Sequence, residues 1–256
     1  MNQQALKVLY QDDHLIAIDK PAGLLCHRSR IDKQATEFAV QMLRQQISRH
    51  VFLIHRLDRP TAGVLLFALD SQSARKLSEQ MARHEIIKHY QAIVRGHPPN
   101  QGRWDEPLLE KPDRKTDRLA QKDKNPQPAI TEFETTRKWE IPFRSGKYAT
   151  SRYSEVWVRP LTGRRHQIRR HFNHMAHPII GDTTHGDRRH NRSFRENLGI
   201  TGLLLFARQI ELRHPTRGDW LKIVAGPNQT LHDARQKLNE HALDPNETTP
   251  TPNTSA

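Results

Sequence analysis

Cysteine is nearly missing from this chain: there is a single residue, Cys26, in 256. That excludes an internal disulfide framework and any zinc site built from several thiolates, and it fits a reducing cytoplasm. Long apolar runs are missing too. None approaches the roughly 18 residues that a membrane span requires, and the polar start MNQQALK has no signal-peptide core. A soluble, cytoplasmic protein with no membrane partner is expected. Apolar residues make up only 35% of the chain and mean hydropathy is −0.83, although 256 residues suffice to bury a full core. Acidic side chains are the scarcer charge. Forty-one Lys and Arg against 28 Asp and Glu leave a formal charge of +13 with His neutral. Such a chain attracts polyanions over a long range at moderate salt, so nucleic acid is the first partner to consider.

Periodicity and punctuation outline the elements. Leu6–Tyr10 and Leu15–Asp19 are apolar segments around Gln11-Asp12-Asp13, which predicts an opening hairpin that ends at the turn Lys20-Pro21-Ala22-Gly23. The fold begins at once, so no N-terminal accessory domain is expected. Phe38, Val40, Met42, Leu43 and Ile47 space a helix within Thr36–Ile47, Gly63–Leu69 reads as a buried strand, and Ser71 is placed to cap a helix reaching about His84. His89–Arg95 alternates as a strand, whereas Lys111–Pro128 is dense in charge and Pro and reads as a mobile basic loop. Strands are predicted at Ala129–Thr136 and Arg152–Arg159, then a helix from about Arg164 to Met175 with a core stripe of Ile168, Phe172 and Met175. Ile179–Asn197 reads as a surface loop suited to substrate contact. Leu203–Leu212 and Trp220–Ala225 form a closing strand pair, Leu231–His241 a short helix, and the Pro/Thr/Asn-rich tail from Asp244 a disordered end. One domain over 1–243 and a tail over 244–256 follow.

The most informative segment is HRLDRPTAG, His55 to Gly63, a polar loop running directly into an apolar strand. Positive neighbours such as Arg56 and Arg59 would hold Asp58 ionised. The bland alternative is a turn aspartate in a surface ion pair. The segment resembles the HRLDxxTSG motif of the RluA-type pseudouridine synthases. Three further stretches match that family in order: Lys20-Pro21-Ala22-Gly23, Lys88-His89-Tyr90-Gln91-Ala92, and Thr162-Gly163-Arg164-Arg165-His166-Gln167-Ile168-Arg169-Arg170-His171. Together they cover roughly residues 6 to 226. Asp123 to Ala129 and Gly181 to Arg192 resemble the branch that lacks an N-terminal S4 domain and modifies a uridine in the T stem of certain tRNAs, uridine 65. Ala62 stands where the family usually has Ser; little effect on chemistry is expected, although the lost hydroxyl could loosen the loop.

The resemblance implies an α+β fold with a mixed, largely antiparallel sheet, flanking helices and a central basic cleft, acting as a monomer on tRNA without a cofactor or metal. It makes Asp58 the catalytic carboxylate, Arg169 its ion-pair partner and Tyr90 the aromatic wall against the target base, where stacking is worth roughly 1–3 kcal/mol. Arg56 fills the place left by the flipped nucleotide, and Ile168 packs on the nucleoside. Arg164, Arg165, Arg170 and His55 contact the RNA. Whether Asp58 attacks the sugar, attacks the base or serves as a base toward a glycal stays open. Plainer alternatives also stand: a core tyrosine at 90, a simple phosphate contact at Arg56, and a solvated face for Arg164, Arg165 and Arg170.

Three rivals compete. His177, Asp182, His185, Asp187 and His190 have the types of a zinc or manganese hydrolase site. Their spacing puts no two His at i and i+4 of one helix, and phosphate contact in a mobile loop is the simpler role. A non-catalytic RNA-binding protein would share the charge but has no use for Asp58, Tyr90 and Arg169 together. Within the enzyme reading, ribosomal or another RNA is the alternative substrate.

Overall fold

The computed structural model describes residues 5–27, 37–109 and 125–243. Most of the expected basic loop Lys111–Pro128, with all of its lysines and arginines, and the expected tail from Asp244 lie outside the described residues. In chain order the elements are β1 (Lys7–Gln11), β2 (Leu15–Lys20), α1 (Ala39–Ile47), β3 (Phe52–Leu53), β4 (Ala62–Ala68), α2 (Ser71–Ala82) and β5 (Ile87–Arg95). There follow β6 (Gln101–Asp105), β7 (Ile130–Ile141), β8 (Ser151–Pro160), α3 (Gln167–His174), α4 (Arg188–Leu198), β9 (Leu205–Arg213), β10 (Trp220–Val224) and α5 (Gln229–Glu240).

The strands form one mixed sheet in the order β1-β2-β4-β9-β5-β8-β7-β6, with β3 on β4 and β10 on β9. Every pairing is antiparallel except β4 with β9, which run parallel through Ala62↔Phe206 and Gly63↔Ala207. Both faces of the central strands are covered, so β4 is buried at every residue and reads as an unbroken apolar run. Val64, Leu66 and Ala68 meet Leu77 of α2, Phe194 and Leu198 of α4, and Leu231, Ala234 and Leu238 of α5 on one face. Leu65 and Phe67 point the other way, toward Ala39 and Leu43 of α1 and Ile168 and Phe172 of α3.

Several expectations need correction. Asp70, not Ser71, caps α2, because its carboxylate is one residue further back and accepts from Ser73 N at 2.7 Å. The helix expected from Arg164 starts at Gln167. The preceding residues are pinned as a turn by the buried Gln167 amide, which accepts from Thr162 Oγ1 (2.7 Å) and Arg164 N (3.0 Å) and donates to Ile130 O and Thr131 Oγ1. Ile179–Asn197 is not all loop, since α4 occupies its second half. Asp187 accepts from Arg189 N and His190 N as the N-cap, Phe194 and Leu198 bury an i,i+4 stripe, and Gly199 ends the helix at φ 69°. The strands expected at 129–136 and 152–159 extend into the long β7–β8 ladder, and the short β3 and β6 went unread.

Candidate active site

Asp58 sits in the turn that leads into β4, its carbonyl accepting from Thr61 N at 3.0 Å. Two separate sequence motifs lock this turn. Buried Lys20, at the end of β2, donates through Nζ to Pro21 O (2.9 Å), Leu24 O (2.9 Å) and, at 3.3 Å, Arg59 O. Arg59 O also accepts from Gly23 N, and Arg59 Nε donates to Gly23 O at 3.0 Å. The Lys-Pro-Ala-Gly turn and the Asp58 loop are thereby one unit. Burial pushes the Lys20 ammonium down to about 8, against the opposing pull of Cys26 and Asp58. Next along, the Leu57 backbone pairs with Cys26 Sγ. On the other side of the loop, Gly63 takes φ 115° where β4 meets β9, and a Cβ there would fall 2.1 Å from Ala207 O. Only glycine fits that seam. Ala62 is buried among apolar side chains, a place for a methyl group.

The second wall comes from α3. Arg169 is 4% exposed, and its guanidinium is used on three sides. Nη1 donates to Asp58 Oδ2 at 2.9 Å, while Nε and Nη2 donate to Asp182 Oδ2 (2.7 Å) and Oδ1 (2.8 Å). Asp182 is itself buried and accepts from Thr184 N and His185 N, both at 2.9 Å. Burial opposes ionisation of Asp182, but Arg169 and these backbone donors outweigh it and hold its carboxyl below the ordinary range. The same contacts outweigh burial at Arg169 and raise its affinity for its proton. The other Asp58 oxygen, Oδ1, faces His166 Nε2 at 3.8 Å, outside hydrogen-bonding distance. His166 heads α3 with φ 54°, and its Nδ1 shares a 2.9 Å hydrogen bond with His185 Nε2. Burial lowers both imidazoles, His185 to about 4, so both are neutral at pH 7.

These groups open on a cavity of about 430 Å³, within the range of roughly 300–1,000 Å³ usual for small-molecule pockets. Asp58, Arg169, Tyr90, Ile168, Arg56, His55 and Arg164 line it, so seven residues singled out in the sequence converge. Tyr90 is nearly buried, and burial, then the Asp58 charge, push its phenol up, which keeps it protonated. Arg56 is exposed. His55 accepts from Leu66 N at 3.2 Å through Nε2, and burial, with the nearby Lys88 charge, lowers it to about 3. It is a neutral group tying the loop to β4. Arg164 donates to Pro128 O. Arg165 and Arg170 do not line the cavity; Arg170 donates to Leu109 O at 2.9 Å.

Sequence reasoning missed the parts played by Lys20, His166, Lys88 and Asp182. The metal-type cluster is dispersed: Asp182 serves Arg169, Asp187 caps α4 and pairs with Arg95, His190 pairs with Tyr153 Oη, and His177 with Arg95 O. Among the described residues no three His, Cys, Asp or Glu side chains converge as a metal site. No helix among the described residues is long and apolar enough to cross a membrane.

Comparison with known proteins gives the same picture. Residues 14–174 match the family model for RNA pseudouridylate synthases. The tRNA pseudouridine synthase C of Vibrio cholerae is 49% identical over 221 residues, covering 86% of this chain and 91% of that protein. Its counterpart in Haemophilus ducreyi is 52% identical over 210 residues, 82% of this chain and 86% of that one. Among solved structures, human RNA pseudouridylate synthase domain containing 4 superposes with a TM-score of 0.67 at 25% identity, over 91% of this chain and 93% of that one. With a matching family model across more than half its length and relatives near 50% identity over most of it, this chain belongs to the RNA pseudouridylate synthase family.

Proposed function

We propose that this protein is a tRNA pseudouridine synthase, acting as a cytoplasmic monomer whose residues 1–243 form one catalytic domain. Its substrate is a T-stem uridine, uridine 65. The carrying observation is that Asp58 is the one carboxylate among the cavity's lining residues and is gripped by a buried arginine. The reaction breaks the C1′–N1 bond of uridine, turns the uracil and joins C1′ to C5. The C5 proton is lost and N1 regains one, so atoms and oxidation state are unchanged and no redox partner enters the balance. One carboxylate and a cavity that retains free uracil meet these needs. The names borne by the bacterial relatives support tRNA as the RNA.

A uridine stacked in a stem cannot reach Asp58, so the nucleotide must be everted into the cavity. In this reading Tyr90 and Ile168 sandwich the base and Arg56 enters the vacated stack. The Thr61 hydroxyl, buried on the cavity wall without a partner among the described residues, is placed to bond the nucleoside. Arg164, Arg165 and Arg170 meet phosphates. Mapping pseudouridine in cellular RNA with and without the protein tests the target; a site in ribosomal RNA alone would replace tRNA. Asp58→Asn should abolish pseudouridine formation while tRNA affinity stays near wild type. Ordinary single-turnover chemistry by Asp58→Ala would remove Asp58 from its role.

A further inference from the structure

Lys88 stands near the start of β5, two residues before Tyr90 and therefore on the same face of the strand, and it lines the Asp58 cavity. Burial lowers the proton affinity of its ammonium. Its sole hydrogen-bond partner among the described residues is Met81 Sδ at 4.0 Å, a weak acceptor. Lys20 shows the contrast: that buried ammonium is satisfied by three carbonyl oxygens. Lys88 keeps its donors for something else, because a desolvated charge without a counter-charge destabilises the free protein.

The surroundings indicate what it holds. Asp58 is the one acid lining the cavity, and it pairs with Arg169 at 2.9 Å, while no ion pair joins it to Lys88 among the described residues. Lys88 therefore has no counter-charge in the cavity wall. Beside it, Gly163 leaves open space; even a Cβ there would be 3.8 Å from Lys88 Nζ. Arg164 and His84 line the same cavity and add no negative charge. The missing partner is thus an anion brought by the ligand. Uracil in the substrate is neutral, whereas the phosphodiester carries a full negative charge. A nucleotide whose C1′ faces Asp58 carries its phosphates on O3′ and O5′ of the same sugar, on the side away from C1′.

We propose that the Lys88 ammonium binds a non-bridging oxygen of a phosphodiester flanking the target uridine and so anchors the everted nucleotide opposite Asp58. The proposal rests on the pseudouridine synthase reading, and its contact is that of a point charge, not of a planar fork.

The test is a binding cycle on a T-stem hairpin. Wild type, Lys88→Met and Lys88→Arg are titrated with the natural RNA and with RNAs carrying one neutral methylphosphonate at either linkage flanking the target uridine, the sugar on its 5′ side 2′-O-methylated. The 2′-O-methyl group without the methylphosphonate is the control. Lys88→Met should bind natural RNA roughly tenfold more weakly, with a salt slope about one unit shallower. It should match wild type on one of the two methylphosphonate RNAs. Lys88→Arg should keep the slope, and Lys88→Met should melt no lower than wild type, since it removes an uncompensated charge. An equal loss on every RNA, a lower melting temperature with uniformly weak binding, or no loss at all would overturn the proposal. Pseudouridine formation by wild type on the same hairpin is scored separately. If it fails while the cycle holds, the enzyme reading falls and the phosphate site stands.

Discussion

Changing Asp182 to Asn asks whether Asp58 is held by one arginine or by a chain of charges. The asparagine oxygen is drawn to the Oδ1 position, where Arg169 Nη2, Thr184 N and His185 N all donate. Its NH2 then lies at the Oδ2 position, facing Arg169 Nε–H, so the 2.7 Å charge-assisted bond becomes a donor–donor contact. Arg169 stays charged, 4% exposed, with Asp58 as its remaining counter-ion. Removing one member of a buried pair costs about 3–5 kcal/mol, which in a domain of this size lowers Tm by on the order of 10 °C. The pH dependence has a definite sign. A carboxyl held below its ordinary value of 3.8 contributes stability that is complete well above that pH. The contribution is lost as pH falls through the lower, folded value. The stability gap between wild type and Asp182→Asn should therefore be constant from pH 6 to 8 and shrink below pH 3.8. Single-turnover pseudouridine formation should fall at least tenfold, with tRNA affinity close to wild type. A variant that melts within 2 °C of wild type and reacts at the same rate would show that Asp182 neither supports Arg169 nor orients Asp58.

Two further substitutions probe the same framework. Arg169→Lys supplies charge at one point, where the guanidinium serves two carboxylates through three nitrogens. The single-turnover rate should drop far more than affinity does, and unchanged kinetics would place Arg169 outside the reaction. Gly63→Ala drives a Cβ to 2.1 Å from Ala207 O at φ 115°, a clash and backbone strain that together cost about 3 kcal/mol or more. A wild-type melting curve for that variant would refute the close β4–β9 approach.

The legible parts of this molecule were those whose signal is local. β4 announces itself because both its faces are buried, and α5 because Leu231, Ala234 and Leu238 repeat at helical spacing. The abrupt join of polar and apolar segments marks the Asp58 turn, but its catalytic role is legible only through the resemblance of HRLDRPTAG to a family motif. The α4 helix was obscured by composition: in RRHNRSFRENL only Phe194 and Leu198 are large and apolar. Its ends were nevertheless readable, with Asp187 before it and Gly199 after. The part Asp182 plays is hidden for a different reason. Its neighbours in the chain are histidines and another aspartate, which suggest a metal, whereas its partner Arg169 lies 13 residues away across a turn. Nothing in the spacing of residues 169 and 182 shows that the helix and the turn face each other. Lys20 was equally hidden, because a lysine ending an apolar strand gives no sign that it reaches the carbonyl of Arg59.

The contacts around Asp58 treat its two oxygens unequally, and this bears on the chemistry. Oδ2 is committed to Arg169, which Asp182 fixes in turn, so the carboxylate plane cannot rotate without breaking a partly buried charge-assisted bond. Oδ1 accepts no hydrogen bond among the described residues and has neutral His166 at 3.8 Å, too far to engage it. One oxygen therefore orients and the other is left to react. Attack on the sugar, attack on the base and abstraction of a sugar proton all require a lone pair aimed into the cavity from a carboxylate that does not turn away, and this arrangement supplies it for each. It also separates the effects of damage. Loss of Asp58 removes the reacting oxygen itself, whereas loss of Asp182 leaves that oxygen in place but frees its direction, so the second lesion should slow the chemistry without abolishing it.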